Sequence, residues 1–189
     1  PSLIAPALES ARGFPLKVPR RFVAKMRKGD PKDPLLLQVL PVSAEMAFVP
    51  GFELDPVGDL QSRAGAGVLH KYHGRALAIA TGACAIHCRY CFRRHFPYDE
   101  ESALRSGWSR AIAALQADAT LSEVILSGGD PLSLSDRRLR ELTDKLACIP
   151  HIRRLRIHTR YPVVLPARID EELLNWLQSL PIQRVILIH

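Results

Sequence analysis

Within eight residues the chain carries Cys84, Cys88 and Cys91, spaced C-x3-C-x2-C, directly after the apolar run Ala76–Ala80. Three thiolates on one loop can hold three irons of a cubane cluster and leave the fourth iron open to a substrate. A structural zinc site wants a closed set of four ligands instead. Arg89, Arg93 and Arg94 surround the loop with positive charge, which would help keep the sulfurs deprotonated. The alternative for the same residues is a zinc site completed by His87 or His95, although zinc ribbons pair two CxxC knuckles. The fourth cysteine, Cys148, stands alone and reads as a small hydrophobe buried beneath its helix.

Two other clusters could act on a ligand. Ser127-Gly128-Gly129-Asp130 follows a second apolar run, and its paired glycines let the backbone approach a ligand closely. A tight strand-to-helix turn is the plainer explanation. In His70-Lys71-Tyr72-His73-Gly74-Arg75, the cations Lys71 and Arg75 flank the phenol of Tyr72, a set suited to a phosphate. A solvated strand entrance is the plainer explanation there.

The elements that must position these residues are legible from residue 75 onward. Apolar runs Ala76–Ala80, Val124–Leu126, Leu155–Ile157 and Val185–Ile188 read as strands. Between them the spacing predicts helices over about 101–117 (Leu104, Trp108, Ile112, Leu115), 136–147 after a Ser135 cap, and 171–179 after an Asp170 cap. Short apolar strands alternating with helices imply an α/β fold whose parallel sheet is buried on both faces. Such folds gather their chemistry at the C-terminal strand ends. The cysteine loop, Ser127–Asp130, His158-Thr159-Arg160 and His189 each follow a strand, so one shared site on one rim is expected.

Residues 1–60 hold nine prolines, which permit only short helices, expected around Pro19–Lys28 and Pro34–Leu40. Phe22, Leu35, Leu36, Leu37 and Val39 argue that this region packs rather than dangles. The expected organisation is a proline-rich, partly helical extension over 1–74, followed by a barrel portion over 75–189. The chain stops on its last apolar strand, which leaves an edge open and predicts a partial TIM-like barrel of about four βα units, a piece of a larger one.

Composition fits a soluble globular protein, with 47% hydrophobic and 24% charged residues among 189. No stretch approaches the roughly 18 consecutive apolar residues of a membrane span. The formal charge of +7 suits an anionic partner or, since 26 basic residues are spread along the chain, a solvated basic surface. A nucleic-acid-binding module is the alternative function class, but no dense basic stripe with interleaved aromatics supports it. Four cysteines, three of them clustered, point to metal binding in a reducing cytoplasm rather than a secreted disulfide framework.

The cysteine loop after a first strand resembles that of the radical S-adenosylmethionine (SAM) superfamily. The resemblance implies that Ser127, Gly128, Gly129 and Asp130 position the methionine part of SAM and that Tyr90 lies near its adenine. His158 and His189 are candidates for the same pocket. His70–Arg75, CAIHCRYCFRRHF (84–96), VILSGGDP (124–131) and IPHIRRLRIHTRYPVVLPARI (149–169) narrow this further. Together they look like the lysine 2,3-aminomutase family, over about residues 14–189. CRYCFRRHFPY and PHIRRLRIHTR are most similar to the bacterial branch that makes (R)-β-lysine for modifying elongation factor P.

That likeness implies an isomerase interconverting L-α-lysine and β-lysine. Its cofactors would be a 4Fe–4S cluster on Cys84, Cys88 and Cys91, SAM, and pyridoxal phosphate (PLP). Lys71, Tyr72 and Arg75 match the residues around the PLP phosphate, with Lys71 standing where arginine is more usual. Arg93 matches the residue that pairs with the substrate α-carboxylate. The family's PLP-binding lysine matches no residue of this chain. Lysine as substrate, an external electron donor and homo-oligomerisation complete what the resemblance implies. A radical SAM enzyme without PLP, such as an RNA methylase, is the remaining alternative.

Overall fold

A computed structural model of the chain describes residues 3–65, 67–101 and 106–189. The predicted helix position Leu104 lies outside them. The chain divides into two compact units, one made of residues 1–57 and 85–96, the other of 58–84 and 97–189. Residues 58–74 group with the sheet, and the segment bearing Cys88 and Cys91 groups with the N-terminal residues.

The sheet unit is α/β. Its strands are β1 (Arg63–Gly65), β2 (Val68–Tyr72), β3 (Arg75–Thr81), β4 (Glu123–Gly128), β5 (Arg154–Thr159) and β6 (Gln183–Ile188), ordered as in sequence in one six-stranded sheet. The sheet is open: β1 and β6 are its edges. The four predicted strands are β3–β6, which run parallel. β1 and β2 are antiparallel additions that the apolar runs did not announce, so the sheet is mixed rather than wholly parallel. Tyr72 pairs with Arg75, making His73-Gly74 a two-residue hairpin turn in which Gly74 supplies the left-handed φ of 76°.

One face carries the rows Ala76–Val124–Leu155 and Ala78–Leu126–Ile157, all fully buried. The core of this unit combines them with Trp108 and Leu115, Leu139, Leu142 and Leu146 of one helix, and Leu173 and Trp176 of another. Those helices are Ser109–Ala117, Asp136–Ala147 and Glu171–Ser179, with Ser135 and Asp170 accepting from Arg138 N–H and Leu173 N–H as caps. The first is shorter than its predicted span because Gly107 and Trp108 adopt left-handed φ values of 56° and 62° at its start. A left-handed tryptophan is strained. Its complete burial and its indole N–H bond to Ala80 O at 3.2 Å hold it there. Cys148 is exposed, contrary to expectation. It lies two residues, about 200°, beyond the buried Leu146, and so points off the packed face.

β6 is an edge strand, the open apolar edge that the sequence predicts. Ile186, Leu187 and Ile188 are 39%, 38% and 54% exposed, so this strand is not covered on both faces. On the opposite face of the sheet, Arg75, Glu123, Arg154 and Gln183 share one row. The buried Glu123 carboxylate accepts from Arg156 Nε at 2.5 Å and Arg154 Nη1 at 3.2 Å. Burial alone would raise its pKa, but the two arginines outweigh burial and lower it. A depressed carboxylate contributes stability above its unfolded pKa and loses it as pH falls through the folded one. Acid should therefore weaken the sheet, and Glu123→Gln should cost about 2 kcal/mol at neutral pH and flatten the acid limb, read by urea melts across pH. An unchanged acid limb would count against this account.

In the other unit, the expected short helices are Arg20–Val23 and Pro34–Leu37, joined by an unpredicted Ile4–Ser10. Asp33 caps Pro34–Leu37, accepting from Leu35 N–H and Leu36 N–H at 2.9 Å each. Phe22 and Val39 are buried as expected, whereas Leu37 is exposed. No described helix is long and apolar enough to cross a membrane.

Candidate active site

Because β3–β6 are parallel, their C-terminal ends share one rim, and hydrogen bonds stitch it together. Gly129 N–H donates to Thr81 O at 2.7 Å and Asp130 N–H to Ala83 O at 2.8 Å. The Asp130 carboxylate accepts from the Thr159 hydroxyl at 2.8 Å, Arg160 N–H at 2.7 Å and Leu132 N–H at 3.0 Å. His189 N–H reaches Thr159 O at 3.2 Å. The rim thus brings together Ser127, Gly128, Gly129, Asp130 and His189 with the backbone that delivers Cys84. His158, one residue before Thr159, is half-buried.

The two glycines have a use that involves no ligand. A Cβ on Gly128 would lie 2.7 Å from Thr81 O, and one on Gly129 would overlap the backbone of Ala83. Gly128 also needs its φ of 109°. They let the end of β4 press against the chain just before Cys84. Tyr98, which motif reading passed over, braces the same place. Its hydroxyl donates to Gly128 O at 2.7 Å, and a Cβ on Gly82 would lie 2.9 Å from its own Cβ.

Two groups on the rim are electrostatically unusual. Burial pushes the Asp130 carboxyl up, despite the lowering pull of Arg160 N–H, Thr159 and Leu132 N–H. Burial likewise raises the phenol of Tyr161, and Asp130 and Cys84 raise it further. Tyr161 is thereby a buried hydroxyl within electrostatic reach of Cys84. The sequence signal for it, an aromatic two residues after β5, is shared with ordinary packing residues.

Cys88 and Cys91 belong to the other unit. A turn joins them, with Cys91 N–H donating to Cys88 O at 3.0 Å. Cys84, Cys88 and Cys91 are all half-buried, and none is part of a disulfide. Burial raises the Cys91 thiol, and the pull of Arg93 and Arg94 does not offset it, so the expected arginine-driven deprotonation is not found there. Arg89 and Arg94 instead pair with Glu45. Arg93 is buried, with its guanidinium 4.8 Å from the Phe92 ring centre, and Tyr90 is exposed. Among the described residues, no three His, Cys, Asp or Glu side chains stand at metal-holding spacing. The donor chemistry, three thiols on one loop, is nonetheless that of an iron–sulfur ligand set.

Lys71, Tyr72 and Arg75 sit at the β2–β3 hairpin, the opposite end of β3 from Thr81, about 20 Å along the strand. The Lys71 ammonium is bound to the buried Asp59 carboxylate at 2.5 Å, and the Arg75 guanidinium lies 5.9 Å from the Tyr72 ring centre. The hairpin is therefore not on the rim, and its lysine charge is already met by an acid.

No family model matches the chain. It is 48% identical over 176 residues to the L-lysine 2,3-aminomutase of Escherichia coli, covering 93% of this chain and 51% of the relative. Against the L-lysine 2,3-aminomutase of Haemophilus influenzae the identity is 46%, over 93% of this chain and 52% of the relative. Against that of Clostridium subterminale it is 34%, over 84% and 38%. The chain spans about half the length of the first two relatives. Over 93% of its own length the chain is thus similar to these lysine 2,3-aminomutases, which supports that family for it.

Proposed function

We propose that this chain forms the cluster- and SAM-binding part of a radical lysine 2,3-aminomutase, with its open sheet as the first strands of a partial barrel. The observation that carries the reading is the rim. The cysteines begin at the end of β3, where the Ser127–Asp130 backbone is locked against the residues before Cys84. Cys84, Cys88 and Cys91 would hold a 4Fe–4S cluster, which when bound supplies the electron for reductive cleavage of SAM. Ser127, Gly128 and Gly129 would position SAM, and Tyr90, His158 and His189 are further candidates for binding it. Asp130 acts through the rim, since its carboxylate oxygens are engaged by β5. Arg93 offers its guanidinium to the substrate α-carboxylate.

The described residues do not fit PLP on their own. The hairpin lies away from the rim, and Asp59 neutralises Lys71. On that hairpin geometry alone, a radical SAM enzyme that uses no PLP is the second reading. The motif likeness to the elongation factor P branch supports β-lysine as product for that modification, in a cytoplasm able to keep the thiols reduced.

The test is anaerobic reconstitution with iron and sulfide, followed by assays of reductive SAM cleavage. The wild-type chain should take up iron and sulfide with visible cluster absorption, and the variant with Cys84, Cys88 and Cys91 all replaced by alanine should not. Cluster absorption that survives the triple replacement sinks the cluster assignment. In a chain extended to the relatives' length, SAM cleavage without β-lysine formation would sink the aminomutase reading and leave the second one.

A further inference from the structure

We infer that Glu45 is a positioning residue for Cys88 and Cys91, and that the N-terminal residues serve to hold the cysteine loop. The inference rests on the reading of that loop as a cluster site. The loop is irregular backbone, so contacts with residues outside it help to set its shape. The contacts that impose it run to residues 14–45. Arg89, directly after Cys88, forks onto Glu45, its Nε reaching Oε1 at 2.9 Å and its Nη2 reaching Oε2. Its Nη1 donates to Phe14 O at 2.9 Å and its backbone N–H to Gln38 O at 2.8 Å. Arg94, three residues after Cys91, donates to Glu45 Oε2 at 2.8 Å. One carboxylate thus ties down both sides of the Cys88–Cys91 turn.

The Phe14 ring lies beneath both guanidinium groups, 5.0 Å from each, and stacks on His87 at 4.8 Å. Glu45 is itself fixed by Val42 N–H, which donates to Oε1 at 3.2 Å. Glu45, Arg89 and Arg94 are 12%, 7% and 16% exposed, so these are desolvated, charge-assisted bonds rather than surface pairs. Without the carboxylate, two guanidinium groups would face each other with little water between them. Asp33, another buried acid of this unit, makes the useful contrast. Its bonds run to Leu35, Leu36 and Arg27 N–H, within and just before its own helix cap, and none of these is to the cysteine loop.

The test labels the full chain, metal-free and reduced, with iodoacetamide and reads each cysteine by mass spectrometry. Glu45→Gln should raise the rates at Cys88 and Cys91 about tenfold, the effect of losing one charge-assisted contact on a local opening equilibrium. Cys148, exposed and in the sheet unit, should keep its rate, and Asp33→Asn should leave Cys88 and Cys91 near wild type. Unchanged Cys88 and Cys91 rates in Glu45→Gln overturn the assignment. An equal rise at Cys148 or in Asp33→Asn also overturns it, because general loosening would then be the cause.

Should Glu45→Gln fail to fold, Arg94→Gln removes one arm and keeps the Arg89 fork. A smaller rise at both cysteines is expected, and no rise overturns the proposal. In the reconstituted protein, Glu45→Gln should release iron to a chelator about tenfold faster than wild type on the same opening argument, and equal release overturns it. Labelling needs no cluster, so a wild type that takes up no iron defeats the cluster reading while Glu45 is judged on thiol reactivity.

Discussion

Gly129→Ala should cost more than about 4 kcal/mol and leave little folded sheet unit at moderate urea. The added Cβ would meet Ala83 C and Ala83 N at 2.8 Å and the Ala83 carbonyl oxygen closer still. All three atoms are backbone, so no rotamer change relieves the overlap. The end of β4 must back away from the chain before Cys84, and the bonds from Gly129 N–H to Thr81 O and Asp130 N–H to Ala83 O go with it. Gly29→Ala is the comparison. Its φ is 78° with no atom within 4 Å, so only conformational strain is added, about 1–2 kcal/mol. Urea melts decide the matter: a Gly129→Ala chain no less stable than Gly29→Ala would remove the close approach as the reason for the glycine.

The second large effect is expected at Asp130. Its carboxylate meets donors on every side, from Thr159, Arg160 and Leu132, and joins β4 to β5. A side-chain amide in its place would offer one oxygen and turn an NH2 toward a backbone N–H, so Asp130→Asn should cost about 3 kcal/mol. It should also speed hydrogen exchange at Arg160 N–H. The pH dependence has the opposite sign to that of Glu123. Burial raises the folded pKa of Asp130 above its unfolded value, so its contribution is full below the unfolded pKa and shrinks as pH rises through the folded one. The stability gap between wild type and Asp130→Asn should therefore narrow from acid toward neutral pH. A gap that widens would mean that the donors, not burial, dominate the carboxyl.

These two residues show why a motif and its structural use can differ. Ser127-Gly128-Gly129-Asp130 stood out in the sequence as a place where a backbone could approach a ligand. In the folded chain the first thing approached is the Thr81–Ala83 backbone, and the aspartate serves the neighbouring strand. A glycine pair reports that something comes close but carries no information on what it is. Lys71, Tyr72 and Arg75 make the same point about distance. They precede the cysteines by few residues, yet β3 runs between them and carries the hairpin to the far end of the sheet.

The sequence by itself determined the local elements and their chemistry. Continuous apolar runs mark β3–β6, because strands in a parallel layer meet apolar neighbours along their length. Ser135 and Asp170 mark helix starts, because capping is satisfied within three residues of chain. Three cysteines in eight residues supply thiol donors on one loop on the same local grounds. Only the tertiary structure decided which partners those elements meet. The antiparallel β1 and β2, the exposure of Cys148, the grip of Glu45 on Arg89 and Arg94, and the pressing of Gly129 on Ala83 all depend on residues remote in sequence. Their contact is created by the packing that brings two distant stretches together, and a residue pattern periodic over one element holds no record of the other. The cysteine loop is the clearest case: its donors are read from eight consecutive residues, and the residues that grip it lie more than forty positions away.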